Sequence, residues 1–226
     1  MKFLQSVLQR RSFIAQFGGA AGAFGGAGRL KPQSLPAGRW QPERHKDDDW
    51  LDRVPGKHRL VFDATTAEGF GYAMLFAGNY FIANAEGYGM KDSDLAVVII
   101  ARHHATPFAF NDLIWNKYGV KISELANFVD PRTKQTATTN LYNLPDTGLP
   151  NRGGTLDGLI KRGVQFAVCQ MATRQLADSF AADVSGDGEI VFKELTANLV
   201  RNSHLVAAGI VAVNRAQERG YAFVNA

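Results

Sequence analysis

Between Asp94 and Arg102 the chain runs Leu95-Ala96-Val97-Val98-Ile99-Ile100-Ala101 without a polar residue. A strand with one wet face alternates polar and apolar side chains, whereas an unbroken run rich in β-branched residues has both faces covered. Such a strand belongs inside a parallel sheet, and a parallel sheet needs helical crossovers on its faces. The remaining sequence supplies them. Residues 59–64 form a short apolar strand ended by Thr65-Thr66, and residues 67–85 place Phe70, Ala73, Met74, Ala77, Tyr80 and Phe81 at three- and four-residue spacing, a helix stopped by Gly87 and Gly89. A helix is expected over 108–118, closed by Gly119, and another over 155–162 with Thr155 as its cap. Residues 164–169 read as the third strand, leading directly into a helix over 172–182. A helix over 192–201, a strand over 204–207, a helix over 209–218 and a last strand over 221–224 complete the pattern. Strands alternating with helices give a three-layer α/β/α sandwich around a mostly parallel sheet. Residues 127–154, with Pro131, Pro145 and Pro150, are an irregular excursion of the length expected for a lid or an oligomer contact.

The opening of the chain is of another kind. Residues 1–28 contain Lys2, Arg10 and Arg11 and no acid, then a short apolar stretch that runs into small residues and glycine. That order is the pattern of an export signal. The segment Gln9-Arg10-Arg11-Ser12-Phe13-Ile14 resembles the twin-arginine consensus and implies a periplasmic destination. The apolar run is too short and glycine-rich for a spanning helix, so membrane association is expected only through an uncleaved signal. Residues 29–57, with three prolines up to Pro42, then Asp47-Asp48-Asp49 and Pro55, read as an extended tether, with Trp40 and Trp50 placed to dock it. Residues 58–226 are then one α/β domain, and a chain that is 46% hydrophobic has material for its core.

Charge narrows the partners. The chain carries 25 basic and 21 acidic residues, but three of the bases lie in residues 1–28, so the remainder is close to neutral. No basic stripe with interleaved aromatics is present, which argues against nucleic acid. A single cysteine, Cys169, excludes a disulfide within the chain.

Ligands of parallel sheets gather at the carboxyl ends of the strands. This nominates Asp63-Ala64-Thr65-Thr66, Arg102-His103-His104, Cys169-Gln170-Met171 and Val206-Ala207-Ala208. Cys169 ends a strand and precedes a helix, whose unpaired N–H groups and positive end favour a thiolate. Arg174, a turn into that helix, would add positive field. The alternative is a cysteine that simply packs, as free cysteines often do. His103 and His104 adjoin on an extended segment and should point to opposite faces, so one of them addresses the site; with no third ligand in view, metal binding is the lesser use. Residues 183–194 place Asp183, Ser185, Asp187, Glu189 and Glu194 at calcium-loop positions with Gly188 and Ile190 between, a fit to an EF-hand loop; an Asp/Gly-rich turn between two helices is the alternative.

The segment Gly163-Val164-Gln165-Phe166-Ala167-Val168-Cys169-Gln170-Met171-Ala172-Thr173-Arg174 resembles the cysteine-bearing strand and turn of the DsrE-like sulfur-relay family. The tail from Val206 to Tyr221 is similar to that family's last helix and strand. The resemblance covers residues 58–226. It implies a flavodoxin-like five-stranded sheet, assembly as a homo-oligomer (trimer or hexamer), and in some members a cysteine that carries sulfur as a persulfide. On that reading Cys169 is the carrier thiol, His103 and Arg174 orient the donor, and a sulfur donor or acceptor protein is the partner. A non-catalytic binding or assembly module with a packed Cys169 is the rival reading, with calcium structural in either. The export signal, the excursion at 127–154 and the insertion at 183–202 depart from the family pattern.

Overall fold

The computed structural model describes residues 41–184 and 186–226, apart from the side chains of Asp183 and Val184. The export-type leader and the tether as far as Trp40 lie outside the described residues. Five strands, β1 (His58–Ala64), β2 (Leu95–Ala101), β3 (Gln165–Cys169), β4 (Ser203–Val206) and β5 (Ala222–Asn225), form one sheet in the order β4-β3-β2-β1-β5. All neighbours pair in parallel. With helices on both faces this is a three-layer α/β/α sandwich of the flavodoxin-like kind, with strand order 4-3-2-1-5 in place of the 2-1-3-4-5 of flavodoxin itself.

Strand order decides which face each helix covers. From β1 to β4 the chain steps across the sheet in one direction, and right-handed crossovers made in one direction stack their helices on one face. That face carries α2 (Ala67–Tyr88), α3 (Asp112–Ala126), α4 (Leu156–Lys161), α5 (Gln170–Val184) and α6 (Gly188–Ala197). The return from β4 to β5 runs the other way, so α7 (Gly209–Gln217) lies on the opposite face. Alternate side chains of the buried strands divide accordingly. Val97, Ile99 and Ala101 enter the large core with Phe70, Phe108, Trp115, Phe166 and Phe180, while Ala96, Val98 and Ile100 join Ala212, Val213 and Ala216 beneath α7. The unbroken apolar run of β2 is explained: both of its faces are covered, and all seven residues are buried.

The smaller face is completed from the N-terminal side. The compact unit begins at Pro42, so residues 42–57 belong to it instead of forming the expected extended tether. A short helix, α1 (Trp50–Arg53), buries Trp50 and Leu51 beside the sheet. Trp50 stacks on His204 with ring centroids 4.0 Å apart. The Tyr221 hydroxyl and the Arg59 guanidinium both donate to the Leu51 carbonyl, and Arg219 Nε donates to Asp52 at 3.0 Å. Trp50 docks this segment; Trp40 lies outside the described residues.

Several helix ends follow from local chemistry. The Thr66 and Thr155 hydroxyls accept N–H groups at the starts of α2 and α4, and Gly89 closes α2 at φ +65°. The second long helix differs from expectation. Residues 103–109, with Pro107 among them, wind as a 3₁₀ segment, so α3 starts only at Asp112, with Asn111 as its cap. It then passes through Gly119 to Ala126. Gly119 is a packing residue: a Cβ there would overlap the Ala137 carbonyl of the excursion. The excursion is pinned near its middle, where the Asn140 amide donates to the carbonyls of Phe108 and Phe110 and the Tyr142 hydroxyl donates to Ala67.

Candidate functional site

The reversal of strand order creates a crevice. The segments leaving β1, β2 and β3 turn toward the α2–α6 face, and the segment leaving β4 turns toward α7. Neighbouring strands whose exits diverge leave a gap between their carboxyl ends, where ligands bind in open α/β sheets. Here the diverging neighbours are β3 and β4, and Cys169 pairs with Val206 at that edge.

Strand alternation determines which way the polar side chains at this end point. Phe62 and Ala64 enter the large core and Val61 the small one, so Asp63 shares the α7 side. By the same parity Arg102, extended one residue beyond β2, and Cys169 at the end of β3 share it too. The register Ala64↔Ala101 and Ala101↔Val168 brings the three strand ends side by side. Arg102 then reaches back across β1. Its Nε and Nη2 donate to Asp63 Oδ1 and Oδ2 at 2.7 and 2.8 Å, a two-bond fork onto a carboxylate that is 4% exposed. This hydrogen bonding raises the Arg102 pKa above its ordinary value against the opposing effect of partial burial, and Cys169 acts electrostatically in the same direction. The stem of Arg102 lies against Gly209, where an added Cβ would stand 2.5 Å from the Arg102 Cβ. A side chain at the first residue of α7 would therefore displace the arginine.

Cys169 itself is 7% exposed and counts among the buried core residues. Its Sγ accepts the Ala172 N–H at 3.5 Å, and its carbonyl accepts the Thr173 hydroxyl at 2.9 Å. The first turn of α5 thus presents a donor to the sulfur, an arrangement that suits a sulfur anion.

The other expected site residues are distributed differently. His103 and His104 are exposed. His103 has φ +55°, so the pair does not splay to opposite faces: the rings meet edge-on with centroids 4.0 Å apart. Arg174 is committed to the α5–α6 hairpin, its guanidinium 3.9 Å from the Phe192 ring centre and bonded to Glu189 at 3.0 Å. The arginine that Cys169 influences is Arg102. Residues 183–194 include the start of α6 at Gly188, so Glu189 and Glu194 stand on helical turns. Asp187 caps that helix by accepting the Glu189 and Ile190 N–H groups, and Glu194 is held by Lys117 at 2.7 Å and by the Tyr118 hydroxyl at 2.7 Å. Ser185 and the Asp183 side chain lie outside the described residues. Among the described residues no three metal-ligating side chains are gathered into a cation site, and no helix is long and apolar enough to cross a membrane.

Two clefts lie elsewhere. One, of about 600 Å³, is an open groove between Tyr72 and the turns at 146–153. Another, of about 200 Å³, is lined by Asn111, Asn140, Asp157 and Arg201. Neither includes Asp63, Arg102 or Cys169. At the strand ends the only cysteine of the chain lies on the same side of the sheet as Arg102, whose guanidinium Asp63 fixes.

Sequence alone nominated Asp63 and Arg102 by position but gave them no role. The signal was available, since a carboxylate inside the apolar strand 60–64 requires a cationic partner, and Arg102 ends the strand beside it.

No protein-family model and no curated protein matches the chain. A solved structure, that of the protein of unknown function MTH1491 from Methanobacterium thermoautotrophicum, covers 75% of this chain and 100% of its own, with 15% identity and a TM-score of 0.38.

Proposed function

We propose that this chain is an exported, DsrE-like sulfur carrier whose Cys169 thiol accepts a sulfane sulfur and holds it as a persulfide. The observation that carries the reading is the placement of Cys169 at the β3–β4 strand ends, on the same side of the sheet as Arg102 and beside it in register. In the transfer step the Cys169 thiolate attacks the outer sulfur of a persulfide donor. A Cys169 S–S bond forms, the donor S–S bond breaks, and the donor thiolate leaves with the bonding pair. The sulfur moves at its own oxidation level, so no external oxidant is needed. A periplasmic location, a homo-oligomeric assembly and a donor or acceptor protein partner belong to the same proposal.

The 7% exposure of Cys169 favours a second reading, a binding or assembly module with an inert thiol. One experiment separates them. Intact mass of the purified protein is measured after incubation with polysulfide, with and without prior alkylation. A gain of whole sulfur atoms that disappears in Cys169→Ala and after alkylation supports the carrier. A thiol that gains no sulfur and resists alkylation in the native state leaves the assembly module.

A further inference from the structure

We infer that Arg102, fixed by Asp63, makes the Cys169 crevice selective for small anionic sulfur donors. The inference rests on Cys169 as the accepting thiol and adds the class of substrate.

The arginine is pre-set for this task. Two of its three nitrogens are held in a fork by a carboxylate that is itself buried, which removes the rotamer freedom a surface arginine would lose on binding. The third, Nη1, has no hydrogen-bond partner among the described residues, and the side chain keeps 28% of its surface open. The guanidinium is thus anchored on one side by Asp63 and partly open to solvent. Its surroundings favour an anion. The segments leaving β1 to β4, Ala64-Thr65-Thr66, Arg102-His103-His104, Cys169-Gln170-Met171 and Val206-Ala207-Ala208-Gly209, contain no acidic side chain. Asp63 has both oxygens occupied by Arg102. Gly209 gives the arginine its seat, because any side chain there would meet its stem. The size limit comes from the thiol: at 7% exposure Cys169 lies below the surface, where a small inorganic species reaches more readily than a sulfur held on a folded protein.

With thiosulfate as the donor the chemistry balances. The Cys169 thiolate attacks the outer sulfur, a Cys169 S–S bond forms, the bond to the sulfonate sulfur breaks, and sulfite departs with the electron pair. Total charge is the same before and after. Arg102 would hold the sulfonate oxygens and the leaving sulfite.

The test compares an anionic with a neutral reagent at the same sulfur. Rates of Cys169 alkylation by iodoacetate and by iodoacetamide are measured at one pH on the full chain, folded and in urea. Both reagents consume the same thiolate, so their ratio cancels ionisation and burial and reports charge recognition. The folded protein should favour iodoacetate by about tenfold relative to the unfolded chain, the scale of a unit-charge pair at close range in a partly solvated site. Arg102→Gln should return the ratio to the unfolded value, and Arg102→Lys should restore part of it. A ratio unchanged in Arg102→Gln would overturn the inference. A second measurement does not depend on thiol reactivity or on the folding of Arg102→Gln. Low-millimolar thiosulfate should raise the thermal midpoint of the Cys169→Ser protein above that in chloride of equal ionic strength; equal midpoints would overturn the inference. Anion preference without sulfur gain from polysulfide would remove the carrier and keep the anion site. Sulfur gain without anion preference would keep the carrier and remove the role of Arg102.

Discussion

The two faces of the sheet are built by different means. On the α2–α6 face five helices bury a core dominated by aromatic rings, among them Phe70, Phe108, Trp115, Phe166 and Phe180, each 0% exposed. On the other face α7 and the short α1 do the covering, and charged and hydrogen-bonding side chains share the work with apolar ones: Arg219 with Asp52, Tyr221 and Arg59 with the Leu51 carbonyl, Arg102 with Asp63. The thick face stabilises by area and close packing; the thin face holds polar groups in fixed places at the cost of burying them. The candidate chemistry lies at the carboxyl end of the thin face.

The largest expected effect breaks the thick face. Phe180 is fully buried and its ring stacks on Tyr118 with centroids 4.7 Å apart. Phe180→Ala should cost about 3–5 kcal/mol in denaturant unfolding, since it removes both transfer free energy and packing contacts. A loss below that range would show that the thick face collapses around the void. On the thin face, Asp52→Asn leaves the fully buried guanidinium of Arg219 without its carboxylate. Because Asp52 is 48% exposed, the cost should be smaller, about 1–3 kcal/mol. If the two substitutions cost the same, the division of labour between the faces is wrong.

The smallest effect is a pH dependence. Burial, aided by Arg53, holds the His204 pKa below its ordinary value of 6.5 where it stacks on Trp50. The unfolded chain therefore takes up the proton first. The contribution of His204 to stability is fully present above pH 6.5 and is lost as pH falls through its folded pKa. Unfolding midpoints measured between about pH 7 and 5 should fall in the wild type, and His204→Phe, which keeps a ring on Trp50, should flatten that slope. An identical slope in the variant would assign the dependence to other groups.

Much of this was legible in the sequence, and the misses have definite causes. The seven apolar residues of β2 required cover on both faces, which fixed the layer architecture. Thr66, Thr155 and Gly89 marked helix ends through chemistry local to the chain. Gly119 misled because a glycine inside a helix reads as a stop, whereas its cause, the Ala137 carbonyl pressed against it, comes from a distant segment. Residues 42–57 read as a tether because their prolines and acids suit solvent; the contacts that hold them, through Trp50, Leu51 and Asp52, run to residues as far on as Tyr221. In the site, the position of Cys169 at a strand-to-helix junction followed from local pattern. Its electrostatic neighbour did not. Helix spacing suggested Arg174, which the α5–α6 hairpin holds elsewhere, while sheet register and strand parity supply Arg102. His103 and His104 were expected to splay because an extended backbone was assumed, and the left-handed φ of His103 removes that assumption.

The central claim is that Cys169 both takes up and releases sulfur, and cyanolysis tests it most directly. Protein loaded with polysulfide and freed of excess reagent is treated with cyanide, which strips the outer sulfur of a persulfide as thiocyanate. The account predicts thiocyanate in proportion to protein for the wild type and none for Cys169→Ser. Equal thiocyanate from both proteins, or none from either, would contradict it.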